Sequence, residues 1–247
     1  MKYTVDLHTH SIVSGHAYST LNENIRYAKE HGVKILGTSE HASSMPGAPH
    51  RWYFCNMKVL PRVIDDVTVL RGCEANIMKS DGTIDVDKDE QLYLDYLIAS
   101  LHDPCFSKAS KEETTNAVIN AMKENPLVTI IGHIGNPYYD IDFEAVVKAA
   151  KEYNVLIELN ESSVLGKSRP GSKARCQEVA KLCKEYDVPV IFGSDAHYMT
   201  AISSFDNTRK MIDEIDFPEE LVMNYPERLI EFLHARGQAL DVTVDSL

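Results

Sequence analysis

The chain has 247 residues, 44% of them apolar and 25% charged. That balance allows a large buried core and excludes disordered, collagen-like and coiled-coil classes, and the length suits two ordinary domains or one α/β barrel of about 250 residues. With 25 basic against 37 acidic side chains the formal net charge is −12, a surface that repels nucleic acid and anionic lipid. A phosphate-bearing ligand would need a local positive site that this count does not reveal.

Short β-branched apolar runs alternate with segments of helical period. A strand is expected over Tyr3–His8 and a helix over Asn22–His31, ending at His31-Gly32 as helix C-termini do. A strand over Lys34–Ser39 leads into Ser43–Phe54, whose two prolines and clustered aromatics suggest a loop covering one barrel mouth. The third strand, Val67–Glu74, precedes a hairpin turn at Ser80-Asp81-Gly82. Then come strand Asp95–Leu101, helix Lys111–Glu124, strand Val128–His133, helix Phe143–Tyr153, strand Val155–Asn160, helix Lys173–Tyr186 and strand Val188–Ser194. Helices Asn207–Ile215 and Pro226–Arg236 complete the chain, with Leu221–Asn224 as a weak eighth strand between them. Strands followed by helices indicate a parallel sheet. No linker or compositional break divides residues 1–247, so a single domain is expected, an α/β fold closed as one (β/α) barrel. The alternative, an open doubly wound sheet, lacks a G-x-G-x-x-G fingerprint.

The five cysteines, Cys55, Cys73, Cys105, Cys176 and Cys183, include no C-x-x-C pair and read as reduced thiols. Cys176 and Cys183 are expected to share a buried helix face. With no apolar core in the first twenty residues and no run long enough to span a bilayer, the expected location is the cytoplasm, without a membrane partner.

The histidines carry the chemistry. The first expected strand ends His8-Thr9-His10, and residues i and i+2 of a strand share one side. The second ends Ser39-Glu40-His41, the third Gly72-Cys73-Glu74, the fourth at His102, the fifth at His133, and the seventh Ser194-Asp195-Ala196-His197, while His16 follows the first strand. Seven of the ten histidines, with Glu74 and Asp195, thus gather where barrel enzymes build their sites. Any one of them alone would read as a core residue, an ion-pair partner or a helix cap. Nine titratable groups around one mouth need a compensating charge, and metal ions supply it. Imidazole and carboxylate without thiolate suit catalytic Zn, Mn or Fe with open positions, and nine ligands require two or three ions. His31 and His234, in last helical turns, suit the helix dipole instead; His50, beside Arg51, stays ambiguous.

The opening DLHTH, the SEH, the GCE, the single His102 and His133 and the closing GSDAH resemble the PHP (polymerase and histidinol phosphatase) family along the whole chain. HAYSTL, LRGCEANI, GNPYYDID and NESS resemble its YcdX-like phosphatases. The resemblance implies a distorted TIM-like (β/α)7 barrel with three divalent metal ions, commonly zinc, at the C-terminal strand ends. It implies that His8, His10, Glu74 and Asp195 hold the first ion, that Glu74 bridges to a second held by His102 and His133, and that His16, His41 and His197 hold the third. Two positions depart from the family pattern: Glu40 replaces the Asp before the second-strand histidine, and Ile134 replaces a proline after His133. Neither removes a ligand, and Glu40 is expected to reorient His41.

Three divalent ions against two ligand carboxylates leave about +4, the positive site that the net charge conceals. The expected reaction is hydrolysis of a small phosphorylated metabolite, a phosphate monoester, by attack of a hydroxide bridging the first two ions. Asp195 is the candidate for catalytic proton handling, and Arg51, Lys167 and Arg169 are candidates for gripping substrate; Asn160, Ser162 and Ser163 are candidate pocket residues. A phosphodiesterase or exonuclease using the same centre is the alternative, opposed by the absence of a basic track for nucleic acid. An amidohydrolase-type reaction lacks its strand-end lysine, and an idle metal-binding regulatory domain would not need all nine ligands. Substrate identity and oligomeric state stay open, including a homo-oligomer.

Overall fold

The short apolar runs become parallel strands buried on both faces, as continuous hydrophobic strands require. A computed structural model describes residues 3–238 and 240–243. Its strands are β1 (Val5–Asp6), β2 (Ile35–Thr38), β3 (Val63–Ile64), β4 (Val67–Asn76), β5 (Tyr96–Ser100), β6 (Val128–Ile131), β7 (Leu156–Asn160) and β8 (Val190–Gly193). Seven pair in the order β1-β2-β4-β5-β6-β7-β8, all parallel, and the short β3 adds to β4 antiparallel. The helices are α1 (Leu21–Glu30), α2 (Trp52–Cys55), α3 (Lys88–Gln91), α4 (Lys111–Glu124), α5 (Phe143–Tyr153), α6 (Glu161–Leu165), α7 (Ser172–Glu185), α8 (Asp206–Asp213) and α9 (Pro226–Ala235). The result is a distorted, nearly closed (β/α)7 barrel. The major helices fall within a residue or two of their expected bounds, and α1 and α4 start at reciprocal capping boxes, Thr20 with Glu23 and Ser110 with Glu113.

Strand alternation sorts the core. Leu36, Val69, Leu97, Ile131, Ile157 and Phe192 face the helix layer. Val5, Ile35, Leu70, Tyr96, Ile98, Ile130, Leu156 and Ile191 fill the barrel, where Leu229, Ile230 and Leu233 of α9 join them. The apolar plug is capped at mid-height by Tyr96, whose hydroxyl donates to the Leu7 carbonyl at 2.5 Å. Gly37 and Gly72 are required there, since a Cβ on either would overlap the Tyr96 side chain. Above Tyr96 the interior turns polar.

The Leu221–Asn224 segment forms no eighth strand. It makes a single parallel bridge, Val222 with Val190, and then uses a side chain to join the barrel's two ends. Asn224 is fully buried; its Oδ1 accepts from Phe192 N–H at 2.7 Å, and its Nδ2 donates to the Val5 and Phe192 carbonyls at 2.9 Å each. Higher up, the β1–β8 seam is closed by Asp195 N–H to His8 O and His10 N–H to Ala196 O, both 2.9 Å. The seam therefore closes where the expected site residues lie. The Ser80-Asp81-Gly82 turn is present, flanked by the Ile77–Ile84 bridge, while α2, α3 and α6 are short helices that periodicity had not marked. Replacing Asn224 with Ala would orphan three buried backbone groups, at about 1 kcal/mol or more each. Asn224→Ala is expected to lower the melting temperature by roughly 6–12 °C in thermal unfolding followed by circular dichroism.

Candidate metal centre

Strand register carries the candidate residues to the C-terminal mouth, where Glu74 lies at the centre. It sits inside β4, which continues two residues beyond the expected end to Asn76, and its partner across the sheet is His41, just past β2. Glu74 has no solvent exposure, and five imidazoles surround its two oxygens. Oε2 is 2.8 Å from His41 Nδ1, 3.4 Å from His8 Nε2 and 3.5 Å from His10 Nε2. Oε1 is 2.9 Å from His133 Nε2 and 3.2 Å from His102 Nε2.

Asp195 completes the near side. Its Oδ1 lies 3.5–3.7 Å from His8, His10 and His197, while its Oδ2 is held by Arg169 Nη1 at 3.1 Å and Asn160 Nδ2 at 3.3 Å. His16 stands over His41 and His197 with ring centroids 5.0 and 4.8 Å away. All nine expected residues meet in one cluster. Three groups have donor atoms within 4.8 Å of one another: His8-His10-Glu74, His41-Glu74-His102 and His10-His41-His197. Among the described residues one group lies within an implied set, while the other two differ from theirs: His41 rather than His133 groups with Glu74 and His102, and His10 rather than His16 groups with His41 and His197.

The donors are aimed from behind. His8 Nδ1–H donates to Glu158 Oε1 at 2.5 Å, His102 Nδ1–H to Asn76 Oδ1 at 2.7 Å and His197 Nδ1–H to the Asp195 carbonyl at 2.9 Å. Each bond leaves Nε2 as the lone-pair donor. Asn76 is itself oriented by Asp85, through its backbone and side-chain nitrogens at 2.7 Å. The Glu40 carboxylate turns to the serines after β1: it accepts from Ser11 N–H at 3.0 Å and from the Ser11 and Ser14 hydroxyls at 2.5 Å. Ser14 Oγ in turn meets His10 Nδ1 at 3.3 Å and His41 N–H at 3.2 Å. The longer carboxylate thus acts on both histidines through one serine.

The electrostatics are those of coupled carboxylates and imidazoles: burial opposes charge on His8 and His41, but Glu158, Glu74 and Asp195 raise His8 well above the usual imidazole value and Glu74 raises His41. Burial opposes charge on Glu74, but His8, His102 and His41 outweigh it and keep the carboxyl well below its usual range. Burial likewise opposes charge on Asp195, and His8, His10 and Arg169 hold it well below normal, so it stays ionised and is better suited to ligation than to giving up a proton. Burial, reinforced by His41, keeps His10 well below the usual imidazole value, and burial with Arg169 pushes His133 down to about 4. Both are neutral near pH 7, His10 with a free Nε2 and His133 with its Nε2–H donated to Glu74 Oε1 at 2.9 Å. Five buried atoms, His8 Nε2, His10 Nε2, His41 Nδ1, His102 Nε2 and Glu74 Oε2, have no hydrogen-bond partner. Such a convergence is costly unless a cation takes the lone pairs.

The other candidates separate. Arg169, from the segment between α6 and α7, reaches the cluster through Asp195 and also donates to Ser163 Oγ at 3.2 Å. Ser163 N–H caps back onto Asn160 Oδ1 at 2.8 Å. Lys167 is exposed, Ser162 pairs with Ser168 at 3.0 Å, and Arg51 Nη1 lies 3.6 Å from Asp87. His50 and His234 are exposed, and His31 stacks on Tyr27 at 3.8 Å. Glu158, Asn76, Ser14 and Asp85 escaped the sequence reading. Glu158 had a signal: a carboxylate sharing the inward face of β7 with Leu156 and Asn160.

Residues 6–165 match the family described as PHP domain. The chain is 54% identical over 239 residues to a probable phosphatase of Clostridium acetobutylicum, across 96% of this chain and 97% of that one. It is 47% identical over 240 residues to a probable phosphatase of Aliivibrio fischeri, across 97% and 96%. The chain belongs to the PHP family. Among solved structures, the histidinol phosphate phosphatase of Lactococcus lactis, complexed with zinc, L-histidinol and phosphate, superposes with a TM-score of 0.58 at 14% identity, covering 87% of this chain and 95% of that one. A chain of archaeal ribonuclease P with mature tRNA gives 0.62 at 18% identity, covering 97% and 94%. At these identities both likenesses concern the fold. Among the described residues no helix is long and apolar enough to cross a membrane.

If the cluster holds metal through Glu74, Glu74→Gln should leave the far-ultraviolet circular dichroism intact while elemental analysis finds the bound zinc largely lost. Full metal retention in that variant would remove Glu74 from the centre.

Proposed function

We propose that this protein is a metal-dependent phosphatase acting on small phosphate monoesters, with three divalent ions, zinc first among them, held by His8, His10, His16, His41, Glu74, His102, His133, Asp195 and His197. The observation that carries the reading is that Glu74 Oε2 and four imidazole nitrogens gathered around that carboxylate are buried without hydrogen-bond partners at the barrel mouth. Relatives matching nearly end to end and described as probable phosphatases support the reaction class, and the zinc in the Lactococcus lactis enzyme supports the metal. Divalent ions bound there would activate a water and neutralise the nonbridging oxygens of a phosphoryl group.

The chain's own residues do the rest. Glu74, facing His8, His10 and His41 through one oxygen and His102 and His133 through the other, would hold ions through both oxygens. Asp195 presents Oδ1 to the histidines because Arg169 and Asn160 hold Oδ2. Arg169, with only 17% of its side chain exposed, brings a guanidinium to the rim, where it can bond a phosphate oxygen as a charged donor. Lys167, exposed in the same segment, is proposed to meet the substrate's outer part; Arg51, paired with Asp87, is the weaker candidate. The acidic surface discourages long polyanions while the ion cluster attracts a small one, which favours monoesters over nucleic acid. A cytoplasmic location and a single domain over residues 1–247 fit this reading.

Elemental analysis is expected to find close to three metal ions per chain, and one or fewer would sink the trinuclear assignment. A chromogenic phosphomonoester should be hydrolysed far faster than the matching bis-ester; the reverse preference would transfer the protein to the diesterases. Arg169→Ala should lower kcat/KM for the monoester by roughly 10–100-fold, the range of a charge-assisted hydrogen bond, and an unchanged value would exclude Arg169 from the phosphate site.

A further inference from the structure

Glu158 is a third carboxylate at this mouth, 3% exposed, and no candidate ligand role falls to it. Its two oxygens serve different partners. Oε1 lies 2.5 Å from His8 Nδ1, and Oε2 accepts the His133 backbone N–H at 2.8 Å. His8 comes from the end of β1 and His133 from the end of β6, on opposite sides of the β7–β8 pair. His133 has φ +28, a left-handed backbone conformation that a non-glycine residue keeps only where its surroundings hold it. Space for the carboxylate comes from Gly193: a Cβ there would overlap Glu158 Oε1 and approach His8 Cβ to 2.9 Å. The glycine that opens Gly193-Ser194-Asp195 therefore has a steric reason to be glycine.

Resting on the metal reading above, we infer that Glu158 is a positioning residue that sets two ion positions at once. It fixes His8 with its proton on Nδ1, so that Nε2 faces the ions, and it pins the strained backbone that aims His133. Two donors need two acceptor oxygens, and only a carboxylate at this reach provides both. A glutamine has one. Turned one way it would leave the His133 N–H facing an amide N–H; turned the other it would present N–H to His8 Nδ1 and favour the wrong tautomer. An aspartate keeps the charge but withdraws both oxygens by a methylene. By contrast, His16, His41 and His197 have no contact with Glu158 among those described.

The test compares wild type, Glu158→Gln and Glu158→Asp, each refolded without metal and titrated with zinc against a chromogenic chelator and with cobalt(II) followed by its visible absorption. Supporting the inference, both variants would fold by circular dichroism and surrender two ions to the chelator about 10–100-fold more readily than wild type. The third ion would be retained, and the cobalt bands would be altered for the weakened sites. Wild-type metal competition and cobalt bands in folded Glu158→Gln would overturn it, as would full rescue by Glu158→Asp, which would reduce the role to charge alone. Failure of both variants to fold would also overturn it, in favour of a carboxylate needed only for the barrel. If wild type itself binds no metal, the centre proposed above fails, an outcome distinct from these.

Discussion

A carboxylate with no access to water, ringed by five imidazole nitrogens within 3.5 Å of its oxygens, is the constraint on which this barrel depends. Ionised Glu74 inside the mouth is sustained only by positive charge close by. Protonated histidines can supply some of it, but neutral His10 presents a lone pair rather than charge. Metal ions satisfy both requirements together. The architecture brings that cluster together. Parallel strands deliver the donors to one rim, Tyr96 seals the apolar interior below them, and α9 joins the plug beneath.

The same constraint explains where the side chains behind the rim spend their hydrogen bonds. Asp85 orients Asn76, which orients His102; Glu40 orients Ser14, which meets both His10 and His41. Arg169 and Asn160 occupy one oxygen of Asp195 and leave the other for the cluster. A flexible imidazole has two nitrogens and two ring faces, and each of these bonds removes one alternative. The acidic exterior and the cluster are two scales of one charge distribution: the first acts over the whole surface and is screened by salt, and the second acts in a confined, poorly hydrated mouth.

Much of the site was legible because its residues obey a local rule. His8 and His10 are two apart at a strand end, His41, His102 and His133 terminate apolar runs, and Asp195 and His197 repeat the two-residue spacing. The major helices were legible from their periodicity and caps, as the Thr20–Glu23 box shows. Glu158 was harder, because its one local signal, a carboxylate on the inward face of an apolar strand, does not by itself give it a role; its meaning arises from Gly193 on the neighbouring strand. Asn76 hid behind a strand expected to stop at Glu74. Leu221–Asn224 has strand composition, but one bridge and the Asn224 side chain replace a ladder there, since β1 is only two residues long. Arg51 and Lys167 could not be ranked against Arg169 by charge and loop position, because reach toward Asp195 depends on the path of the segment after α6.

The order of strands and helices, the parallel barrel and the inventory of metal-capable side chains are properties of the sequence by itself, because periods of two and 3.6 residues and strand-end positions are local. The tertiary structure alone decided which nitrogen each histidine turns inward, which carboxylate oxygen is left for the cluster, and how β1 meets β8. Those outcomes depend on contacts between residues as far apart as His8 and Asp195, or His8 and Glu158. Such distances are set by the packing of the closed barrel, and no window of sequence contains both partners.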